Sequence, residues 1–307
     1  MATAIRPGMK AAPLGVAAVL SVITTFSVLN VIVKIVRIPA VTFAFYRLWL
    51  GAAVMVLVLL VSRRRLSWEK VRASVPGGLL FGFNILLFFL AIKETAIADV
   101  LIIAALQPAL TLMVAGPLFG ERVTRHEVGW TVVSLAGVVL VTVGQSGTPV
   151  WSLRGDLLAV GALVVWTVYF LVSKRVRQDV PAVEYMTTVT LVAAVVITPV
   201  ALLSGQPLGG LRIQDWLWLG LFVSGAQGGH VLLAWAHAHV DVSVSSLLIL
   251  AEPVVSAVAA LVFLGEPITA LAVAGGAVVL TSVAAIVQRA TRAGPSRELA
   301  PQEASPA

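Results

Sequence analysis

Apolar runs of about 17 to 23 residues recur along this chain, separated by short polar or basic joins. Ten can be counted, at about 14–36, 41–62, 75–92, 99–119, 128–144, 155–173, 183–204, 214–236, 243–264 and 268–288. A helix of roughly 20 residues crosses the hydrocarbon of a bilayer. It also satisfies its own backbone hydrogen bonds there, which an irregular segment cannot. The pattern therefore predicts an all-α polytopic membrane protein of ten transmembrane helices. The joins are tight, as at Arg37-Ile38-Pro39 and Gly265-Glu266-Pro267, and the segment Gln145–Leu153 is a turn-rich join at the midpoint. From Arg289 onward the chain is Ala, Pro, Ser and charge, which reads as a disordered tail.

Composition excludes the soluble alternatives. Charged residues make up 11% of the 307 and apolar residues 59%, against about 25% charged in soluble domains. Mean hydropathy is +1.02, far from the low values that disorder requires. The net charge of +7 does not point to nucleic acid, because the basic residues lie between the apolar runs. Fifteen Lys and Arg fall on the side that holds the N-terminus, among them Arg63, Arg64, Arg65, Lys70 and Arg72, and five fall on the other side. Basic residues concentrate on the cytoplasmic side, so both termini are expected in the cytoplasm. The sequence contains no cysteine, which removes disulfides and thiolate metal sites from consideration. A cleaved signal peptide is not expected, since the first run is longer than a signal core and follows Arg6 and Lys10.

The chain repeats itself. Gln107-Pro108 is followed by Leu118-Phe119-Gly120-Glu121, and Glu252-Pro253 by Phe263-Leu264-Gly265-Glu266, at a constant offset of 145. The midpoint leaves five spans on each side. Five is odd, so the halves must lie upside down relative to each other, an inverted repeat of the kind many secondary transporters use. The organisation reads as an N-terminal segment 1–13, a first repeat 14–146, a linker 147–154, a second repeat 155–288 and a tail 289–307.

With these features, and with Phe45-Tyr46-Arg47 in the second span, the chain resembles the EamA branch of the drug/metabolite transporter superfamily over about residues 14–288. The resemblance implies a multi-pass carrier of the plasma or inner membrane. It also implies a central cavity between the halves and export of an amino acid or related small metabolite.

Polar residues inside the spans are the candidate chemistry. Glu252 lies near mid-membrane, where an ionisable group is a functional hypothesis by default. It suits proton coupling or binding of an amine, or else a permanent pair with an Arg or the cap of a helix broken at Pro253. Arg47 is its natural partner by depth, and is alternatively a grip for a carboxylate or phosphate or a side chain snorkelling toward the outer surface. Pro108 and Pro253 each remove a mid-span hydrogen bond and mark kinks beside a cavity or simple packing bends. Asn84, Gln107, Thr111, Gln227, His230 and Ser256 sit on spans 3, 4, 8 and 9. Any one suits an interhelical hydrogen bond, and their concentration suggests a cavity wall that Trp166 and Tyr169 complete. Gly78-x-x-x-Gly82 and Gly225-x-x-x-Gly229 permit close helix approach on spans 3 and 8, as does Gly116-x-x-x-Gly120 on span 4. Trp68, Trp130, Trp151, Trp216 and Trp218 lie near span ends, as interfacial anchors do. His230 and His237 share a helical face, which suits a helix-end polar cluster better than a metal site.

No catalytic or nucleotide-binding motif is present. The expected function is secondary transport of a small-molecule substrate, with no cofactor and no metal. The expected partners are the lipid bilayer and coupling protons, and a homodimer is compatible with the reading. The competing readings are a membrane-embedded enzyme acting on a lipid or isoprenoid headgroup, and a passive channel.

Overall fold

The computed structural model describes residues 11–95, 97–119, 124–145, 152–265 and 267–293. All regular structure among them is helical: α1 (Ala11–Ile35), α2 (Ala40–Val61), α3 (Trp68–Glu94), α4 (Ile97–Ala104), α5 (Gln107–Phe119), α6 (Arg125–Gln145), α7 (Leu153–Val176), α8 (Ala182–Leu203), α9 (Ile213–Ala236), α10 (Val242–Ile249), α11 (Glu252–Leu264) and α12 (Ala270–Ala293). Seven stretches are long and apolar enough to cross a membrane, and three shorter apolar ones join them, among the described residues. The outward faces carry bare Leu and Val, such as Leu57, Leu60 and Leu203, as contact with lipid tails requires.

The helix ends follow from local chemistry. Ser67 and Ser152 accept from the backbone N–H groups of Lys70 and Gly155. Thr124 and Glu127 form a reciprocal capping box, with the Glu127 carboxylate 2.7 Å from the Thr124 amide. Gly205 and Gly265 end α8 and α11 with positive φ, where a side chain would be strained. Arg63, just after α2, adopts the same left-handed region at φ 51° without being glycine. Inside the spans, Thr142, Thr167, Thr187 and Thr190 return their hydroxyls to the carbonyl four residues back, which removes an unpaired polar group from an apolar setting.

Two elements differ from the sequence pattern. The run at 99–119 is broken into α4 and α5 around Ala105-Leu106, and the run at 243–264 into α10 and α11 around Leu250-Ala251. Tight three-residue hydrogen bonds close each first half, Leu106 to Ile103 and Leu250 to Leu247. Pro108 and Pro253 then sit in the first turn of the following helix, where their missing N–H has no partner to lose. The expected kinks are thus full interruptions. Helix α12 also runs to Ala293 rather than stopping at 288. The expected features at Glu121, Glu266, Gly120 and Gly147–Pro149 fall outside the described residues.

Packing pairs elements from the two halves of the chain. Helix α3 lies along α7 and α8, α9 along α1 and more lightly along α2, α2 along α8, and α6 along α12. Two apolar cores result. One is centred on α2, α3 and α8 with Leu48, Met55, Phe81, Tyr185, Met186 and Ile197. The other joins α1, α10 and α12 with Val19, Ile23, Leu247, Leu248 and Val279. Phe26, Trp166 and Trp235 pack against both and mark the seam between them.

Candidate functional site

At that seam sit the buried polar groups of α2 and α9. Arg47 of α2 is 8% exposed. Its Nη2 lies 3.2 Å from His230 Nε2 on α9. The guanidinium also faces the rings of Phe89 and Phe222, at 5.7 and 5.2 Å from their centroids. Such faces offset part of the cost of burying a cation. Arg47 and Glu252 do not pair as their depths suggested, since Arg47 meets His230 and the two rings instead. Similar depth fixes height along the membrane normal, but rotation of each helix decides which neighbour a side chain meets.

Aromatic rings enclose His230. Phe26 and Phe81 lie at 4.9 Å between centroids and Trp166 at 6.4 Å. Trp166 stacks on Tyr169 at 5.1 Å, and Tyr169 meets Phe81 at 5.3 Å. Five elements contribute to this arrangement: α1, α2, α3, α7 and α9. Of the expected cavity residues, Arg47, Trp166, Tyr169 and His230 come together. The others act elsewhere. Asn84 donates to the Ala162 carbonyl at 3.0 Å and ties α3 to α7. Gln227 reaches the Gly51 carbonyl at 3.5 Å and ties α9 to α2. Gln107 and Thr111 bond to each other across the first turn of α5, with Gln107 Oε1 buried and unpartnered. Ser256 Oγ is likewise buried and unpartnered on α11. Glu252 is half-buried at the start of α11, and its backbone carbonyl accepts from Ser27 Oγ of α1 at 3.2 Å.

The pattern of apolar runs gave no sign of Phe26, Phe81, Phe89 or Phe222, since a Phe in a span reads the same facing lipid or facing a site. The helix-end polar cluster expected at His237 spans the ends of α7, α8 and α9, and its members Glu184, Arg177 and Ser173 carried no signal in that pattern. Glu184, buried in the first turn of α8, holds Arg64 at 3.2 Å and Lys70 at 3.3 Å. Arg177 Nε donates to the Ala234 carbonyl at 2.8 Å, and burial draws its pKa down to about 10. His237 Nδ1 lies 2.9 Å from Ser173 Oγ. Burial, then the charges of Lys174 and Arg177, pushes the His237 pKa down to about 3. His237 therefore belongs to a helix-end polar cluster, and no group of metal-ligating side chains occurs among the described residues.

At the other end of α8 and α9, their connection is latched to the start of α2. Val41 N donates to Gln206 Oε1, Thr42 Oγ1 to the Pro207 carbonyl, and Tyr46 Oη to the Leu208 carbonyl. Tyr46 and Arg47 are neighbours with opposite duties, one closing a rim and one facing the seam.

Known proteins resemble this chain along most of its length. The model of the EamA-like transporter family matches residues 13–143 and 153–288. The chain is 26% identical to the transporter YyaM of Bacillus subtilis, over 78% of this chain and 82% of the relative. It is 26% identical to the pseudopaline exporter CntI of Pseudomonas aeruginosa, over 88% and 94%. Against the threonine/homoserine exporter RhtA of Salmonella typhimurium, identity is 29% over 77% of each. A crystal structure superposes with a TM-score of 0.76 at 22% identity, covering 91% of this chain and 98% of that one, which speaks for the fold alone.

Proposed function

Because the chain belongs to the EamA-like transporter family, and so is a multi-pass transporter of the cell membrane, we propose that it exports a small metabolite by alternating access. In this reading α4 with α5 and α10 with α11 each form one interrupted span, giving ten in all. The spans divide into inverted repeats at 14–146 and 155–288, joined by 147–154, with the segments 1–13 and 289–307 in the cytoplasm. The observation that carries it is the matched interruption ahead of Pro108 and Pro253, since discontinuous spans at corresponding places of two halves are where carriers build their sites. The packing supports it too. Exchanging the halves turns the α3–α7 contact into the α9–α1 contact, and leaves α2–α8 and α6–α12 as they are.

Direction and substrate class rest on the exporters among the relatives. Energy would come from an ion gradient, from exchange or from the substrate's own gradient, with Glu252 as the candidate proton carrier. Purified protein in vesicles tests this directly. Uptake driven by a pH gradient should disappear in Glu252→Gln, while exchange of labelled for unlabelled substrate continues. Normal rates of both would remove Glu252 from coupling. Flux that never saturates would replace the carrier with a channel. Single cysteines at Ser67 and Ser204 should react from opposite faces of the membrane, and outside labelling of Ser67→Cys in intact cells would reverse the orientation.

A further inference from the structure

Once paired with each other, Arg47 and His230 turn only donors to their surroundings. A guanidinium can only donate, so His230 Nε2 accepts from Arg47 Nη2 at 3.2 Å. The ring proton then sits on Nδ1, on the other side of the imidazole. That atom is buried with no hydrogen-bond partner, and a buried donor left unmade is costly. Arg47 meets no carboxylate among the described residues, only this imidazole and two ring faces. The arrangement is a cation, a polarisable relay and an open donor in line, and what it lacks is an anion.

We infer that His230 Nδ1–H is the contact for the carboxylate of a monoanionic ligand with an apolar body, and that Arg47 acts through His230. Donation from Arg47 into Nε2 draws electron density from the ring and strengthens Nδ1–H as a donor, as hydrogen bonds in a chain polarise one another. Arg47 also fixes the tautomer, since the ring cannot place its proton on Nε2 while that atom accepts. One positive charge balances one carboxylate, whereas a phosphate dianion would leave an excess. The walls next to the imidazole are Phe26, Phe81 and Trp166, which suit a hydrocarbon body. These rings part to admit the ligand. This inference rests on the carrier reading for its purpose, and names the class of compound that the carrier would move.

The test uses full-length protein in nanodiscs and three probes of one shape: 3-phenylpropanoate, 3-phenylpropanamide and 2-phenylethylamine. A ligand that binds the folded protein raises its thermal midpoint by mass action. The acid should raise it at millimolar concentration, and the amide and amine should not. Arg47→Lys should weaken the acid and keep the preference. Arg47→Gln should cut the acid-to-amide affinity ratio at least tenfold. His230→Asn, which retains an N–H donor, should bind the acid better than His230→Phe. Each ratio is read within one variant, so a general loss of stability does not mimic the effect, and the wild-type comparison alone decides if a variant fails to fold. Equal shifts with acid and amide, no shift with the acid, or an unchanged ratio in Arg47→Gln would overturn the inference. Vesicle exchange separates the two readings. Exchange of any compound without acid preference keeps the carrier and removes the carboxylate contact. Arg47-dependent acid binding with no exchange of that acid keeps the contact and removes the carrier.

Discussion

Glycine pairs on α3 and α9 meet surfaces of different stiffness. On α3, a Cβ at Gly78 would lie 2.5 Å from Val192 Cβ and 3.1 Å from the Val189 carbonyl oxygen, and one at Gly82 would lie 3.1 Å from Ala193 Cα. These are atoms of, or next to, the α8 backbone. On α9, a Cβ at Gly229 would strike the ring edge of Phe26 at 2.5 Å, and one at Gly225 would come 3.2 Å from a Leu29 methyl. These are the far ends of α1 side chains, which can rotate. The same four-residue spacing therefore makes a backbone-to-backbone seat in one helix and a notch for side chains in the other. Small residues permit close approach, but the opposing surface decides whether the approach is rigid.

That contrast can be broken most directly at Gly78. Gly78→Ala should destabilise by about 3 kcal/mol, the upper range for overpacking a tight site, read as a lowered thermal midpoint. A wild-type midpoint would mean that α3 and α8 part as easily as α9 and α1.

Next comes the ionic end of the same contact, where Lys70 on α3 and Arg64 reach Glu184 on α8. Glu184→Gln should cost about 2 kcal/mol, as for loss of hydrogen bonds to a charged group. Added salt should destabilise the wild type more than the variant. Equal salt responses would show that the cluster contributes no electrostatic rigidity.

The α9 side has its own polar end in His237. Its pKa is held near 3 in the folded protein, against 6.5 ordinarily. Folding therefore favours the neutral ring, and the stability it confers is full above about pH 6.5 and declines as pH falls toward 3. By linkage the loss should reach about 1.4 kcal/mol by pH 5.5. Thermal midpoints measured from pH 7.5 to 5 should fall, and His237→Gln should flatten that fall. Parallel curves would place the titration elsewhere.

The smallest effect belongs to Gly225. Gly225→Ala should change stability by less than about 0.5 kcal/mol, because the helix gains from losing a glycine while Leu29 shifts a few tenths of an ångström. A large loss would mean that α1 is held as stiffly as α8.

The apolar helices were legible because hydropathy acts along one chain, but proline alone suggested kinks at 108 and 253 where the chain is fully interrupted. Pro108 and Pro253 sit where α5 and α11 begin. The site was legible in part. Arg47, Trp166, Tyr169 and His230 stood out as polar or amphipathic groups within apolar runs. Phe26 and Phe81 did not, because hydropathy scores a ring without its direction. Glu184 was hidden by its position at a span end, where carboxylates are ordinary, and its partners are more than 110 residues away. The misplaced pairing of Arg47 with Glu252 came from treating depth as proximity.

The left-handed residue after α2 links this fold to its biosynthesis. Arg63 holds a backbone conformation that glycine would adopt freely and that costs an L-residue about 1–2 kcal/mol. It opens the run Arg63-Arg64-Arg65. Glycine there would ease the turn but remove one of the cations that an insertion machinery reads while the chain is still being threaded into the bilayer. The finished fold therefore carries a small permanent strain at a position where, in the proposed orientation, a cation helps to set topology.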